Sequence, residues 1–168
     1  MNTCNLPLSF GELTVIICPK TKQVVLLNTL KTQALSILQK RFIIVQKNWP
    51  LFPYLKVKDQ VLLNLSEDKK ARLTYQKELK IDPVLLNKRS DHLSLFDKIK
   101  LQLLHALLAK KDEIIIEDLF EELSISETQE LLDLLAYLVK NEQRAILLLS
   151  HDEAIAHSPY VNKLYDER

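Results

Sequence analysis

Short runs of consecutive apolar, β-branched residues alternate along this chain with longer stretches of helical spacing. The first run, Leu13–Cys18 (LTVIIC), predicts a buried strand, and Pro19 with the polar KTKQ of 20–23 predicts a turn after it. Val24–Lys40 then sets Leu26, Leu27, Leu30, Ala34, Ile37 and Leu38 on one helical face, so a strand, a turn and a helix open the domain. Phe42–Val45 (FIIV) is a second buried strand, ending at Gln46. Asn48–Val57 (NWPLFPYLKV) mixes two prolines with three aromatics and reads as a semi-rigid surface loop. Lys58–Asp82 is highly charged, and its weak periodicity suits one or two short amphipathic helices.

The pattern strengthens from Leu93. Ser94, followed three residues later by Asp97, marks a helix start, and Ile99, Leu101, Leu103, Leu104, Ala106, Leu107 and Leu108 make that helix apolar nearly all round. Such a helix is expected to be buried. A strand at Glu113–Ile116, a helix at Ser126–Asn141 opened by a capping box of Ser126 and Gln129, and a strand at Ala145–Leu149 follow in turn. Tyr160–Tyr165 offers a last short strand.

Strands that alternate with helices imply an α/β fold with a mostly parallel sheet, right-handed crossovers and flanking helices. Function in such folds sits just beyond the C-terminal ends of the strands. Those positions are Pro19–Gln23, Gln46, Glu117–Asp118 and Ser150–His151.

Composition narrows the reading. A chain of 168 residues, 47% apolar and 27% charged, suits one compact domain with a real core. A formal net charge of +1, with lysines interleaved among acidic residues, supplies no field that would draw nucleic acid or an anionic membrane. Two cysteines, Cys4 and Cys18, without a CxxC or a signal peptide, fit a reduced cytosolic chain. The longest apolar runs fall short of the ~20 residues that a bilayer requires, so no membrane span is expected. The most restrictive count is a single glycine, Gly11: phosphate loops that work by close backbone approach need several.

The motifs, taken in order, carry a resemblance. Leu93–Ser124 (LSLFDKIKLQLLHALLAKKDEIIIEDLFEELS) resembles the signature motif, its helix, the Walker B strand and the D-loop of the ATP-hydrolysing domain of ATP-binding cassette (ABC) transporters, at the family's spacing. AILLLSHD (Ala145–Asp152) stands where the family places its switch histidine. Gln46 with Pro50–Val57 resembles the Q-loop and the segment that docks on the transmembrane subunit, and Gly11–Pro19 resembles the strand entering the phosphate loop. The resemblance runs from Phe10 to Asp166. It implies a P-loop NTPase-like sheet with a small helical subdomain inserted around residues 55–95. The expected organisation is a single domain over 1–168, with a core of 10–47 and 93–168 and a reduced helical subdomain of 48–92.

The departures from the family pattern bear on function. In place of GxxxxGK[ST] the chain has CPKTKQVVL (Cys18–Leu26), without a glycine; its one lysine followed by Thr, Lys20–Thr21, comes directly after Pro19 and not at the end of a glycine loop. The enclosing backbone amides of a glycine loop are therefore missing, and Lys20 or Lys22 could restore charge but not that backbone geometry. Leu95 and Phe96 replace the glycines of LSGGQ, which leaves Ser94 as a helix cap rather than a nucleotide contact. The magnesium-organising Asp is matched by Glu117 and the catalytic Glu by Asp118, each displaced by one methylene, and the D-loop aspartate by Ser124. His151 matches the switch histidine. An adenine-stacking platform is not expected ahead of the first strand, although Phe10 or Tyr54 could stack a ring by chance.

What the resemblance preserves is the contact surface. Trp49, Leu51, Phe52 and Tyr54 are candidate partner-binding residues, the three aromatics being of types that make interface hot spots; the plainer alternative is a loop folded back on its own helices. The expected function is that of a non-catalytic, degenerate cassette acting as a subunit or regulator of an ABC transporter. Its expected partners are a permease, an intact cassette or a second copy, with no cofactor, at the cytoplasmic face of a membrane. The alternative is a working ATPase that binds ATP and Mg²⁺ through Glu117, Asp118 and His151. A third reading places a divalent ion on those same three side chains.

Overall fold

The computed structural model describes residues 6–34, 42–63, 65 and 68–168. The chain divides into two compact units, residues 1–44 with 112–168, and residues 45–111. The second is wider than the 48–92 expected from the sequence, because the long helix that follows Ser94 packs on its neighbours within that unit.

The first unit is built on a five-stranded sheet of order β2-β3-β4-β1-β5. The strands are β1 (Leu13–Ile17), β2 (Phe42–Val45), β3 (Glu113–Ile116), β4 (Ala145–Ser150) and β5 (Lys163–Asp166). The β1–β4, β1–β5 and β3–β4 pairs are parallel, with Ile17 level with Ser150 and Ile116 level with Leu148. Strands buried on both faces read as continuous apolar runs. β1 and β4 are buried along their whole length, and β5, at the edge, is exposed throughout. The expected strand at Tyr160–Tyr165 begins three residues later, since 160–162 form a turn in which Asn162 Oδ1 accepts from Leu13 N at 2.8 Å.

The helices of this unit are α1 (Lys20–Ala34), α6 (Ile125–Asn141) and the short α7 (Glu153–Ala156). The expected turn at 20–23 is not present: α1 begins at Lys20, leaving Cys18 and Pro19 as the whole connection from β1. Pro19 supplies the preset φ that starts a helix, and its carbonyl accepts from Lys22 N and Gln23 N at 3.0 and 3.1 Å. Of the helical positions expected in 24–40, residues 35–40, among them Ile37 and Leu38, lie outside the described part. Leu27 and Leu30 pack with Ile16, Cys18, Phe42, Ile115, Leu147 and Leu149 in one core cluster.

Helix α6 starts one residue earlier than expected, because its capping box is Ser124 with Glu127 and not Ser126 with Gln129. Ser124 Oγ accepts from Glu127 N at 3.1 Å and Glu127 Oε2 from Ser124 N at 2.9 Å. A carboxylate is a stronger acceptor than an amide and suits the positive helix end, which decides between the two boxes. The helix buries Leu131, Leu132, Leu134, Leu135, Leu138 and Val139, each contributing about 1.5–3 kcal/mol.

The second unit holds α2 (Val57–Val61), α3 (Lys69–Glu78), α4 (Pro83–Asn87) and α5 (Leu95–Leu108), with α5 packed on α2 and α3. Helix α5 has the expected start: Ser94 and Asp97 form a capping box. Its Ile99, Leu101, Leu103, Leu104 and Ala106 are fully buried.

The one glycine in the sequence is not placed between β1 and α1. Gly11 lies in the turn before β1 at φ +75, donating to Arg144 O at 3.1 Å, and a Cβ there would come within 3.1 Å of Gln143 Oε1. Left-handed positions after three helices are taken instead by Lys80, Lys110 and Gln143.

Candidate functional site

The C-terminal ends of β1, β3 and β4 bring five polar side chains of the first unit into one cluster. Asp118, two residues past β3, is its centre; its side chain is only 3% exposed. Asp118 Oδ2 accepts from His151 N at 3.0 Å, from the His151 ring through Nδ1, and from Gln23 Nε2 at 3.1 Å. Gln23 is itself buried in the first turn of α1 and also donates to Cys18 O at 3.0 Å. Its amide thereby ties the end of β1 to the residue beyond β3. Asp118 Oδ1 is buried without a hydrogen-bond partner among the described residues.

The second nitrogen of His151, Nε2, lies 2.7 Å from Glu121 Oε1, and Glu121 Oε2 is ion-paired with Lys20 at the start of α1. The cluster is therefore a line of alternating charge, Asp118, His151, Glu121 and Lys20. The hydrogen bond to Asp118 holds the His151 pKa above its ordinary value of 6.5 against the opposing effect of burial, with the charges of Asp118 and Glu121 acting in the same direction. With both ring nitrogens protonated, His151 donates to a carboxylate on each side. The bond to Lys20 lowers the Glu121 pKa and raises that of Lys20. Burial pushes the Cys18 thiol up, leaving it a packing residue rather than a nucleophile.

Of the residues expected from the sequence, the fold unites Asp118 and His151. Glu117 lies beside them in the chain, half-buried just past β3. Gln46 and Ser94 belong to the second unit. There the amide of Gln102 bonds both backbone groups of Gln46, accepting from its N at 3.0 Å and donating to its O at 2.8 Å, while Ser94 caps α5. Trp49 and Leu51 are half-buried, and Phe52 and Tyr54 are exposed at 69% and 82%. Their loop is anchored through the Phe52 carbonyl, which accepts from Ser90 Oγ at 2.7 Å and Gln60 Nε2 at 2.9 Å. Glu121 and the bridging role of Gln23 were not foreseen. Their only sequence signals are a polar side chain in the first turn after a buried strand and an acidic residue three positions beyond Asp118.

Among the described residues, no group of three or more His, Cys, Asp and Glu side chains is placed to hold a metal ion. The divalent-ion reading of Glu117, Asp118 and His151 has no geometric support there. No described helix is long and apolar enough to cross a membrane. A cavity of about 500 Å³ in the first unit lies against α1 and β5, lined by Ile16, Cys18, Lys22, Val25, Leu26, Thr29, Tyr165 and Glu167 with Leu6 and Pro7. Neither Asp118 nor His151 lines it.

A parallel sheet of order β2-β3-β4-β1-β5, with its polar cluster at the strand ends following β1, β3 and β4, defines the P-loop NTPase-like class of α/β folds. Solved structures identify the member of that class: the fold is that of the ATP-binding cassette. A dimeric cassette, MJ0796, in a post-hydrolysis state bound to ADP and Pi superimposes with a TM-score of 0.71 over 90% of this chain and 80% of its own, at 18% identity. The cbiO1 protein of Clostridium perfringens, part of the ABC transporter complex cbiONQ, matches at 0.74 over 94% and 73%, at 19% identity. A putative ABC transporter ATP-binding protein of Pyrococcus furiosus matches at 0.72 over 95% and 86%, at 13% identity. No protein-family description and no curated protein sequence matches the chain.

Proposed function

We propose that this chain is a non-catalytic subunit or regulator of an ABC transporter, one that keeps the cassette fold as a scaffold for protein contacts. The observation that carries the reading is the two-residue connection of β1 to α1, Cys18 and Pro19, closed by the Gln23 amide. A loop that encloses phosphates needs a longer run of backbone amides and glycines that permit close approach. Here the helix starts at once, and the one glycine serves a different turn. The residues present do not fit the phosphates of ATP, and no reaction step is assigned to it.

The partners that suit the fold are a membrane permease, an intact cassette or a second copy. Such an assembly would hold the chain at the cytoplasmic face of a membrane with no cofactor of its own. The exposed Phe52 and Tyr54, beside Trp49 and Leu51, supply aromatic contact surface. Two experiments test the reading. Saturating Mg-ATP is expected to leave the thermal midpoint unchanged, whereas ligand at 100 times its Kd would add about 2.7 kcal/mol. Affinity purification from the native cell is expected to recover a permease or an intact cassette, and Phe52→Ala with Tyr54→Ala to weaken that recovery. A protein that stays monomeric and recovers neither partner contradicts it.

The retained contact of Asp118 with His151 favours one alternative, a weak ATPase using Asp118, Glu117 and His151 with an unorthodox phosphate site. That reading requires hydrolysis by the purified chain that Asp118→Asn abolishes.

A further inference from the structure

The first turn of α1 concentrates positive charge. It carries Lys20 and Lys22, contains no acidic residue, and adds the positive end of a 15-residue helix. His151, held toward its protonated form by Asp118, brings a further cation to the same strand ends. Such a site attracts oxyanions. In this chain each lysine is already met by a carboxylate of the chain itself: Lys20 by Glu121, and Lys22 by Glu167, whose backbone oxygen lies 2.7 Å and Oε2 3.2 Å from Nζ.

Glu121 holds the more telling position. It sits in the short 3-10 turn of Phe120–Glu122 that follows β3, and its two oxygens contact different elements, Oε2 the Lys20 ammonium of α1 and Oε1 the His151 Nε2 past β4. A carboxylate spanning two cations from separate elements occupies the position that an external oxyanion would take. An incoming oxyanion would overlap it and face the buried Asp118 behind the ring.

We propose that Glu121 is a resident anion, filling the oxyanion position between Lys20 and His151 and thereby excluding phosphate from the cluster. The inference rests on the non-nucleotide reading above and deepens it. Loss of the phosphate loop removes the amides that would enclose a ligand, and Glu121 satisfies the cations left behind.

The test compares the full chain with its Glu121→Gln and Glu121→Ala variants, with Glu142→Gln at the end of α6 as a control of equal net charge. Inorganic phosphate and pyrophosphate are titrated at constant ionic strength while the His151 ring resonances are followed. The wild type and Glu142→Gln are expected to show no saturable shift. Both Glu121 variants are expected to show one, with the shift at a given phosphate concentration larger than in the wild type by up to roughly fivefold, the upper end of what losing one exposed charge contact gives. Independently, the His151 pKa is expected to fall in Glu121→Gln. A flat titration in both Glu121 variants, an equal response in the wild type or in Glu142→Gln, or an unchanged His151 pKa overturns the proposal. Micromolar Mg-ATP binding by the wild type would instead sink the non-nucleotide reading, whereas a flat phosphate titration in the variants sinks this inference alone.

Discussion

Gln23 reaches from the first turn of α1 to Asp118, Nε2 to Oδ2 at 3.1 Å, and the same amide nitrogen bonds the Cys18 carbonyl at 3.0 Å. One buried side chain thus joins the ends of β1 and β3 and closes the shortened connection between strand and helix. Gln23→Ala leaves a buried carboxylate oxygen and a carbonyl short of a donor. It is expected to destabilise the fold by about 1–3 kcal/mol in urea unfolding. Gln23→Glu, which sets a second carboxylate against Asp118, is expected to be worse. A neutral result for both would show that the bridge does not hold the strand ends.

The Asp118–His151 bond makes stability depend on pH. His151 has its folded pKa raised above the ordinary value, chiefly by the hydrogen bond it donates to Asp118, so folding favours the protonated ring. That contribution is fully present below the unfolded value of about 6.5 and is lost as pH rises through the higher folded value. Asp118→Asn is expected to lower the His151 pKa measured by NMR and to flatten the decline of stability on the alkaline side of 6.5. An unshifted ring pKa in that variant would refute the contact.

The cap of α6 separates two neighbouring serines. Ser124→Ala removes the acceptor for Glu127 N and is expected to lower stability by about 1 kcal/mol. Ser126→Ala, inside the first turn, is expected to change it by less than ~0.5 kcal/mol. Chemical denaturation of the pair decides it, and the reverse order would move the helix start back to Ser126.

Three helices end on left-handed residues that are not glycine: Lys80 at φ 53, Lys110 at φ 55 and Gln143 at φ 53. The turns are anchored by Ile81 N to Gln76 O at 2.8 Å and Lys111 N to Ala106 O at 2.9 Å. An L side chain there is strained by about 1 kcal/mol, which glycine avoids. Lys80→Gly and Lys110→Gly are each expected to raise stability by about 0.5–1 kcal/mol, visible as a higher thermal midpoint. A lower midpoint in either variant would mean that the lysine side chain supports its turn.

The strands could be read directly from the sequence because β1 and β4 are buried on both faces, and complete burial permits little but β-branched and aliphatic residues. LTVIIC, EIII and AILLLS declare themselves for that reason. The start of α5 was legible too, since a cap is local chemistry between Ser94 and Asp97. At α6 two serines offered competing caps, and the choice of Ser124 was decided by the carboxylate of Glu127 against the amide of Gln129. The turn expected at 20–23 was misread because polar residues after a proline suit a turn and a helix start equally well. Only the packing of Leu27 and Leu30 into the sheet selects the helix. The sequence by itself determined the α/β order of elements, the strands and the absence of a glycine-rich loop, all properties of neighbouring residues. Tertiary structure decided that Gln23, Asp118, His151, Glu121 and Lys20 form one line of contacts. Parallel strands far apart in sequence end side by side, and nothing in the spacing of 20, 23, 118, 121 and 151 states which side chains meet there.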